Sequence, residues 1–95
     1  MGLKYPVELI PDLEVGGFTV EVTDIPSAHT QGEDREEALD NVLSALLDLI
    51  ELNYFDHNRP VPLPSAFEGE NYVEVPEDVT QEIMKFNARL EKLAS

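Results

Sequence analysis

Twenty Asp and Glu residues in a chain of 95 make carboxylate pairs at helical spacing unavoidable, and such pairs are the raw material of acid–base catalysis and metal binding. Glu36 and Asp40 share one face of the first predicted helix, as do Glu33 and Glu37 if that helix begins early. Neither pair has a histidine beside it in sequence, nor an apolar setting that would lift a carboxyl pKa for acid catalysis. A two-metal nuclease needs several acids converging on one site, and no convergent set is identifiable. His29 and His57 are the only histidines, and with no cysteine in the chain they do not make a zinc site. Ser27, Ser44, Ser65 and Ser95 lie in no nucleophile-elbow pattern. Gly16-Gly17 precedes a strand rather than a helix, so it does not cradle a phosphate. No catalytic residue, metal or cofactor is expected, and the chain reads as a binding module.

The charge narrows what it could bind. The net charge of −14 opposes approach to phosphate backbones and anionic lipid surfaces. It is also uneven. Residues 1–84 carry 19 acids against three bases, whereas the last eleven residues carry Lys85, Arg89 and Lys92 against only Glu91. A net charge of this size keeps a small domain dispersed, and it also suits an acidic body that meets a basic partner. No run of 18 apolar residues is present to span a bilayer, and no secretory signal opens the chain. Together with the missing cysteines, this predicts a cytoplasmic protein.

The elements that must position these residues are those of one small α+β domain. Lys4 to Ile10 alternates apolar and polar, as a half-buried strand does, with Pro6 marking an edge or a place paired on one side only. Pro11–Gly17 forms a loop, and Phe18, Val20 and Val22 alternate with Thr19 and Glu21 in a second strand, making a hairpin. Asp24-Ile25-Pro26 reads as a turn, and Ala28 to Gln31 as a short third strand. Asp34 and Glu37 have capping-box spacing, so the Asp34 carboxylate should accept from the Glu37 backbone N–H and Glu37 should reach back. The helix that follows, about Arg35 to Leu52, carries Leu39, Val42, Leu43, Leu46 and Ile50 on a stripe widened by Ala38, Leu47 and Leu49, which suits covering a sheet. Pro60, Pro62 and Pro64 give an extended connector, and Tyr72 to Val75 a fourth strand. A second helix spans about Glu77 to Leu93. Its apolar residues Val79, Ile83, Phe86, Leu90 and Leu93 recur at +4, +3, +4, +3, a narrow seam that either docks on its own domain or joins two copies.

The ordered set Tyr5-Pro6, Gly16-Gly17-Phe18, Asp24-Ile25-Pro26, Thr30-Gln31-Gly32 with Glu37-Ala38, Val61-Pro62-Leu63-Pro64-Ser65 and Val73-Glu74-Val75-Pro76 resembles the HicB antitoxin family, the neutralising half of HicA–HicB toxin–antitoxin modules. The resemblance covers nearly the whole chain and rests on the order of motifs that are individually weak. It implies a partial, catalytically empty ribonuclease H-like βββαβ domain over residues 1–76, followed by a C-terminal helix over 77–95. It also implies a partner, the HicA-type toxin: a small basic protein that cleaves messenger RNA through a histidine, and whose RNA-cleaving surface the antitoxin masks. Family members usually continue into a helix-turn-helix or ribbon-helix-helix segment that binds the operator. This chain stops where such a segment would begin, and the basic run from Lys85 reads as the lead into one, so direct DNA binding by these 95 residues is not expected. The acids expected to meet toxin lysines and arginines are Glu21, Asp24, Glu33, Glu68, Glu70 and Glu74. The second-helix seam is the expected surface for a homodimer or tetramer, and an oligomerisation module of an operon repressor is the alternative function.

Overall fold

The computed structural model describes residues 2–66, 69 and 71–94. Four strands, β1 (Lys4–Pro11), β2 (Phe18–Val22), β3 (Ile25–Gly32) and β4 (Tyr72–Glu74), form one antiparallel sheet in the order β3-β2-β1-β4. Helix α1 (Arg35–Leu49) lies across one face of it, and helix α2 (Glu77–Ala94) follows β4. The α+β class and the C-terminal helix are as expected from sequence.

Alternation explains why α1 has a face to cover. Tyr5 and Val7 of β1, Val20 and Val22 of β2, and Val73 of β4 are buried, while their neighbours Lys4, Glu8, Glu21, Tyr72 and Glu74 are exposed. Onto that apolar side α1 presents Ala38, Val42 and Leu46, continued by Ile50, a ridge at intervals of four residues that is wholly buried. Burying a side chain such as Val42 or Leu46 contributes about 1.5–3 kcal/mol. The flanking Leu39, Leu43, Leu47 and Leu49 are half-buried against the same core.

Pro6 sits in a strand that is interior in the sheet order, yet its lost donor is accommodated. The β1–β4 ladder covers Lys4–Pro6 and the β1–β2 ladder begins at Val7, so the proline lies where the strand changes partners. It is not left paired on one side only, because it stands opposite Tyr72 of β4 and its carbonyl accepts from Thr23 N–H at 3.0 Å. The turn after β2 differs from the sequence expectation. Ile25 and Pro26 already belong to β3, because an irregularity between Glu21 and Val22 lets Val22 pair with Ile25. That shift also puts both Ile25 and Ala28 inward, a spacing of three that simple alternation does not give.

Helix α1 starts as its sequence dictates, with Asp34 extended at φ −137° and its Oδ1 accepting from the Glu37 N–H at 2.8 Å. The Glu37 carboxylate instead lines a groove beside the β1–β2 loop. The helical path runs past the expected Leu52: Ile50–Phe55 continues with π-type bonds, such as Asp56 N–H to the Glu51 carbonyl at 3.0 Å. It ends at Asn58, left-handed at φ 52°, with Arg59 N–H closing back on the Tyr54 carbonyl. The extension is held by Tyr54 and Phe55, both packed on the core. Phe55 meets Phe86 of α2 at 4.8 Å between ring centroids.

The proline segment is fastened down side by side with α2. The Tyr5 hydroxyl donates to the Pro62 carbonyl at 2.8 Å, and the Asn87 amide both accepts from Val61 N–H (2.8 Å) and donates to the Val61 carbonyl (2.9 Å). At the start of α2, Thr80 Oγ1 accepts from Leu3 N–H (3.1 Å) and donates to the Val75 carbonyl (3.3 Å). Ile83 and Phe86 enter the same core cluster as the sheet and α1.

Two measurements check this packing. Gly32 has no room for a methyl group: a Cβ there would strike the Ala38 backbone N and lie 2.6 Å from Ala38 Cα. Gly32→Ala should therefore lower unfolding free energy by about 2 kcal/mol, read from urea denaturation. Burial pushes the Tyr5 phenol up to about 12, with Asp24 and then Tyr54 adding. The native state thus holds this proton more tightly than the unfolded chain, whose tyrosines titrate near pH ~10. Its contribution is intact below about pH 10 and disappears as the pH rises through about 12. Tyr5→Phe should cost about 1 kcal/mol at neutral pH and flatten the alkaline loss of stability relative to the parent. Parallel alkaline profiles for the two proteins would contradict it.

Candidate functional site

Helix α1 covers one face of the sheet, and on the other face the outward residues from Glu8 onward along β1, with those beside them on β2 and β3, are exposed. On β1 and β2 these are Glu8, Ile10, Thr19 and Glu21, and on β3 they are His29 and Gln31. The register aligns them in rows across the strands. Glu8 stands opposite Glu21, and Glu21 opposite His29; Ile10 stands opposite Thr19, and Thr19 opposite Gln31. These side chains line a shallow depression on the open face. Like charges directly opposite across strands repel, so the Glu8–Glu21 pair is a small standing cost of the native state that a cation from outside would relieve.

The six acids expected at a toxin interface fall in different places. Glu21 is central on the open face. Glu74 lies on the same face at the β4 edge, opposite Lys4, with its Oε2 accepting from Gly2 N–H at 3.2 Å. Lys4 itself sits over the Tyr72 ring at 5.2 Å. Glu33 is exposed beside the N-terminus of α1, where it lines a groove with the β1–β2 loop. Asp24 is half-buried and already engaged: its Oδ2 accepts from Ser65 N–H (2.9 Å) and from the Ser65 hydroxyl (3.1 Å), fastening the end of the proline segment. Glu68 and Glu70 lie outside the described residues. Sequence reading passed over Glu8 and Ile10. Alternation along β1 marks both as outward-facing, but only the register shows that Glu8 joins the Glu21 row.

The seam on α2 divides. Ile83 and Phe86 are buried in the chain's own core and Val79 and Leu90 are half-buried against it, while Leu93 is 77% exposed. A small apolar recess beside Phe55 and Phe86 is edged by Glu82, Lys85 and Arg89, the last with its guanidinium 5.6 Å from the Phe86 ring centroid.

Among the described residues, no three His, Asp or Glu side chains converge closely enough to hold a metal ion. Every buried side-chain nitrogen or oxygen among them has a hydrogen-bond partner. No helix of the described residues is long and apolar enough to cross a membrane. What the open face offers is a flat, acid-bearing surface with Ile10 as an apolar spot, which suits contact with another macromolecule.

Comparison with known proteins agrees with a protein of this class, a small interaction domain. Residues 4–84 match the family model described as HicB-like antitoxin of bacterial toxin–antitoxin systems. The chain is 45% identical over 89 residues to Antitoxin HicB 1 of Photorhabdus laumondii subsp. laumondii, a match covering 94% of this chain and 56% of that protein. It is 40% identical over 90 residues to Antitoxin HicB of Escherichia coli strain K12, covering 94% and 64%. It is 37% identical over 93 residues to Antitoxin HicB 2 of the same Photorhabdus, covering 98% and 64%. The chain belongs to the HicB-like antitoxin family, and it spans between about half and two thirds of the length of these relatives. A family described as antitoxins agrees with the reading of a binding protein rather than an enzyme.

Because Glu8 and Glu21 stand opposite each other, Glu21→Gln should raise stability by about 0.5 kcal/mol at low salt, seen as a higher urea midpoint. A lower midpoint would mean that Glu21 is already balanced inside the domain.

Proposed function

We propose that this chain binds and neutralises a HicA-type, messenger-RNA-cleaving toxin by covering the surface on which the toxin holds RNA. The observation that carries this reading is the open sheet face, where Glu8 and Glu21 stand side by side on a body of net charge −14. A surface that holds RNA must carry cations for phosphates. An acid-bearing sheet meets those cations in place of the phosphates, and the long-range field hastens the encounter. Glu21, Glu33 and Glu74 are the exposed members of the expected contact set, with Glu68 and Glu70 assigned to it by sequence alone; Asp24 serves chiefly through its hold on Ser65. Each exposed pair contributes only about 0–1 kcal/mol, so the acids act as a group.

A second reading follows from α2. Leu93, 77% exposed, ends a seam whose Val79, Ile83, Phe86 and Leu90 pack in or against the chain's own core, and it offers a point for joining copies of the chain into a homo-oligomer. In that reading the domain sets the geometry of an operon repressor.

The direct test mixes a purified HicA-type toxin with an RNA substrate and adds the chain in increasing amounts. Cleavage should stop near equimolar chain, and the binding should weaken about tenfold as salt rises from about 0.05 to 0.3 M. Undiminished cleavage at large excess would sink the proposal. Loss of inhibition in Glu8→Gln/Glu21→Gln/Glu33→Gln, with melting temperature unchanged or raised, is expected alongside it.

A further inference from the structure

We propose that the β1–β2 loop, Asp12 to Gly17, is the apolar anchor of the interface, inserting Leu13 and Val15 into an apolar recess that is rimmed by Lys and Arg on a basic protein partner. The proposal rests on the toxin-binding reading above and names the part of the chain that grips.

Leu13 is 93% exposed and Val15 85%, the two most exposed large apolar side chains among the described residues. Neither contributes to the core of its own domain, so folding gives no reason for apolar residues at these positions. Single exposed leucines are ordinary. Here two sit two residues apart on one loop tip, with Ile10, 51% exposed, at the end of the strand that leads into it. The tip is thus reached directly from the strand that carries Ile10 on the open sheet face.

The loop is also held in shape before any partner arrives. Asp12 Oδ1 accepts from the N–H groups of Glu14 (3.0 Å) and Val15 (3.2 Å). The Asp12 carbonyl accepts from Gly16 N–H (3.0 Å), and Asp12 N–H donates to the Gly17 carbonyl (2.9 Å). Gly16 and Gly17 both take φ +81°, and a Cβ on Gly17 would lie 2.5 Å from the Gly32 carbonyl oxygen, so the base of the loop is pressed against the end of β3. A loop fixed in this way loses little conformational entropy on binding, which favours affinity. Leucine and valine on it would act by filling a pocket.

Charge selects the partner. Glu14 lies between the two apolar residues, and the groove beside the loop, about 790 Å³, is lined by Asp12, Glu33 and Glu37 with no cationic side chain. An apolar tip inside an anionic rim complements an apolar recess inside a cationic one. A second copy of this chain would bring the same negative rim against it, and nucleic acid would bring phosphates.

The test is isothermal titration of the full chain against a purified HicA-type toxin at about 0.15 M salt. Leu13→Ser/Val15→Ser should lose about thirtyfold or more in affinity with its melting temperature kept within about 2 °C. Leu13→Lys, which sets a cation against the cationic rim, should lose at least as much. Leu52→Ser, at another exposed apolar site on the Ile50–Phe55 segment, should bind like the parent. Parent-like affinity in both loop variants overturns the anchor and leaves toxin binding standing, whereas a parent chain that does not bind overturns both. Equal losses in the Leu52 variant and the loop variants would also overturn it, since the effect would then not belong to the loop.

Discussion

Three segments meet at Gly32 with no space for a side chain, and the rest of the molecule is arranged around that contact. The first turn of α1 lies against it through Ala38, and the base of the β1–β2 loop lies against its carbonyl through Gly17. Because the helix starts this close to the sheet, its ridge of Ala38, Val42, Leu46 and Ile50 reaches the inward side chains of β1, β2 and β3. The same contact fixes the angle at which the loop leaves the sheet. A residue with no side chain thus sets both how the core closes and where an exposed loop is held.

Covering one face of a sheet leaves the other to do something else. The inner face contributes stability through apolar area, and the segments that flank it are fastened by side chains of Tyr5, Thr80 and Asn87. The outer face gains nothing from folding by setting Glu8 against Glu21. Such a pair costs little in a domain whose core is already closed, and it raises the return when a cationic surface arrives. In the proposed reading, stability and interaction are separated onto opposite sides of a single layer of backbone.

Much of this was legible in the sequence because it depends on local periodicity. The alternation in β1 and β2, the stripe in α1 and the Asp34 cap are short-range signals, and each formed where expected. What escaped depends on contacts between distant segments. The early start of β3 at Ile25 follows from an irregular pairing with β2, and the π-helical extension to Phe55 follows from packing against Phe86. Asp24 reads as a free acid in sequence, but Ser65, 41 residues away, engages it. Glu8 reads as one outward acid among many until the hairpin register sets it beside Glu21. The seam on α2 shows the same limit: its spacing is compatible with self-association or with docking on the domain, and Ile83 and Phe86 are in the domain's own core.

The most direct test of an acid-bearing open face that grips a basic toxin is a footprint on this chain. Backbone amide resonances of the labelled chain, followed while a purified HicA-type toxin is added, report which residues sense the partner. Shifts and broadening gathered on Glu8, Ile10, Glu21 and His29 and on the loop from Leu13 to Gly17, with the buried ridge of α1 undisturbed, are the expected result. A footprint confined to α2, or spread evenly with the open face silent, would contradict it.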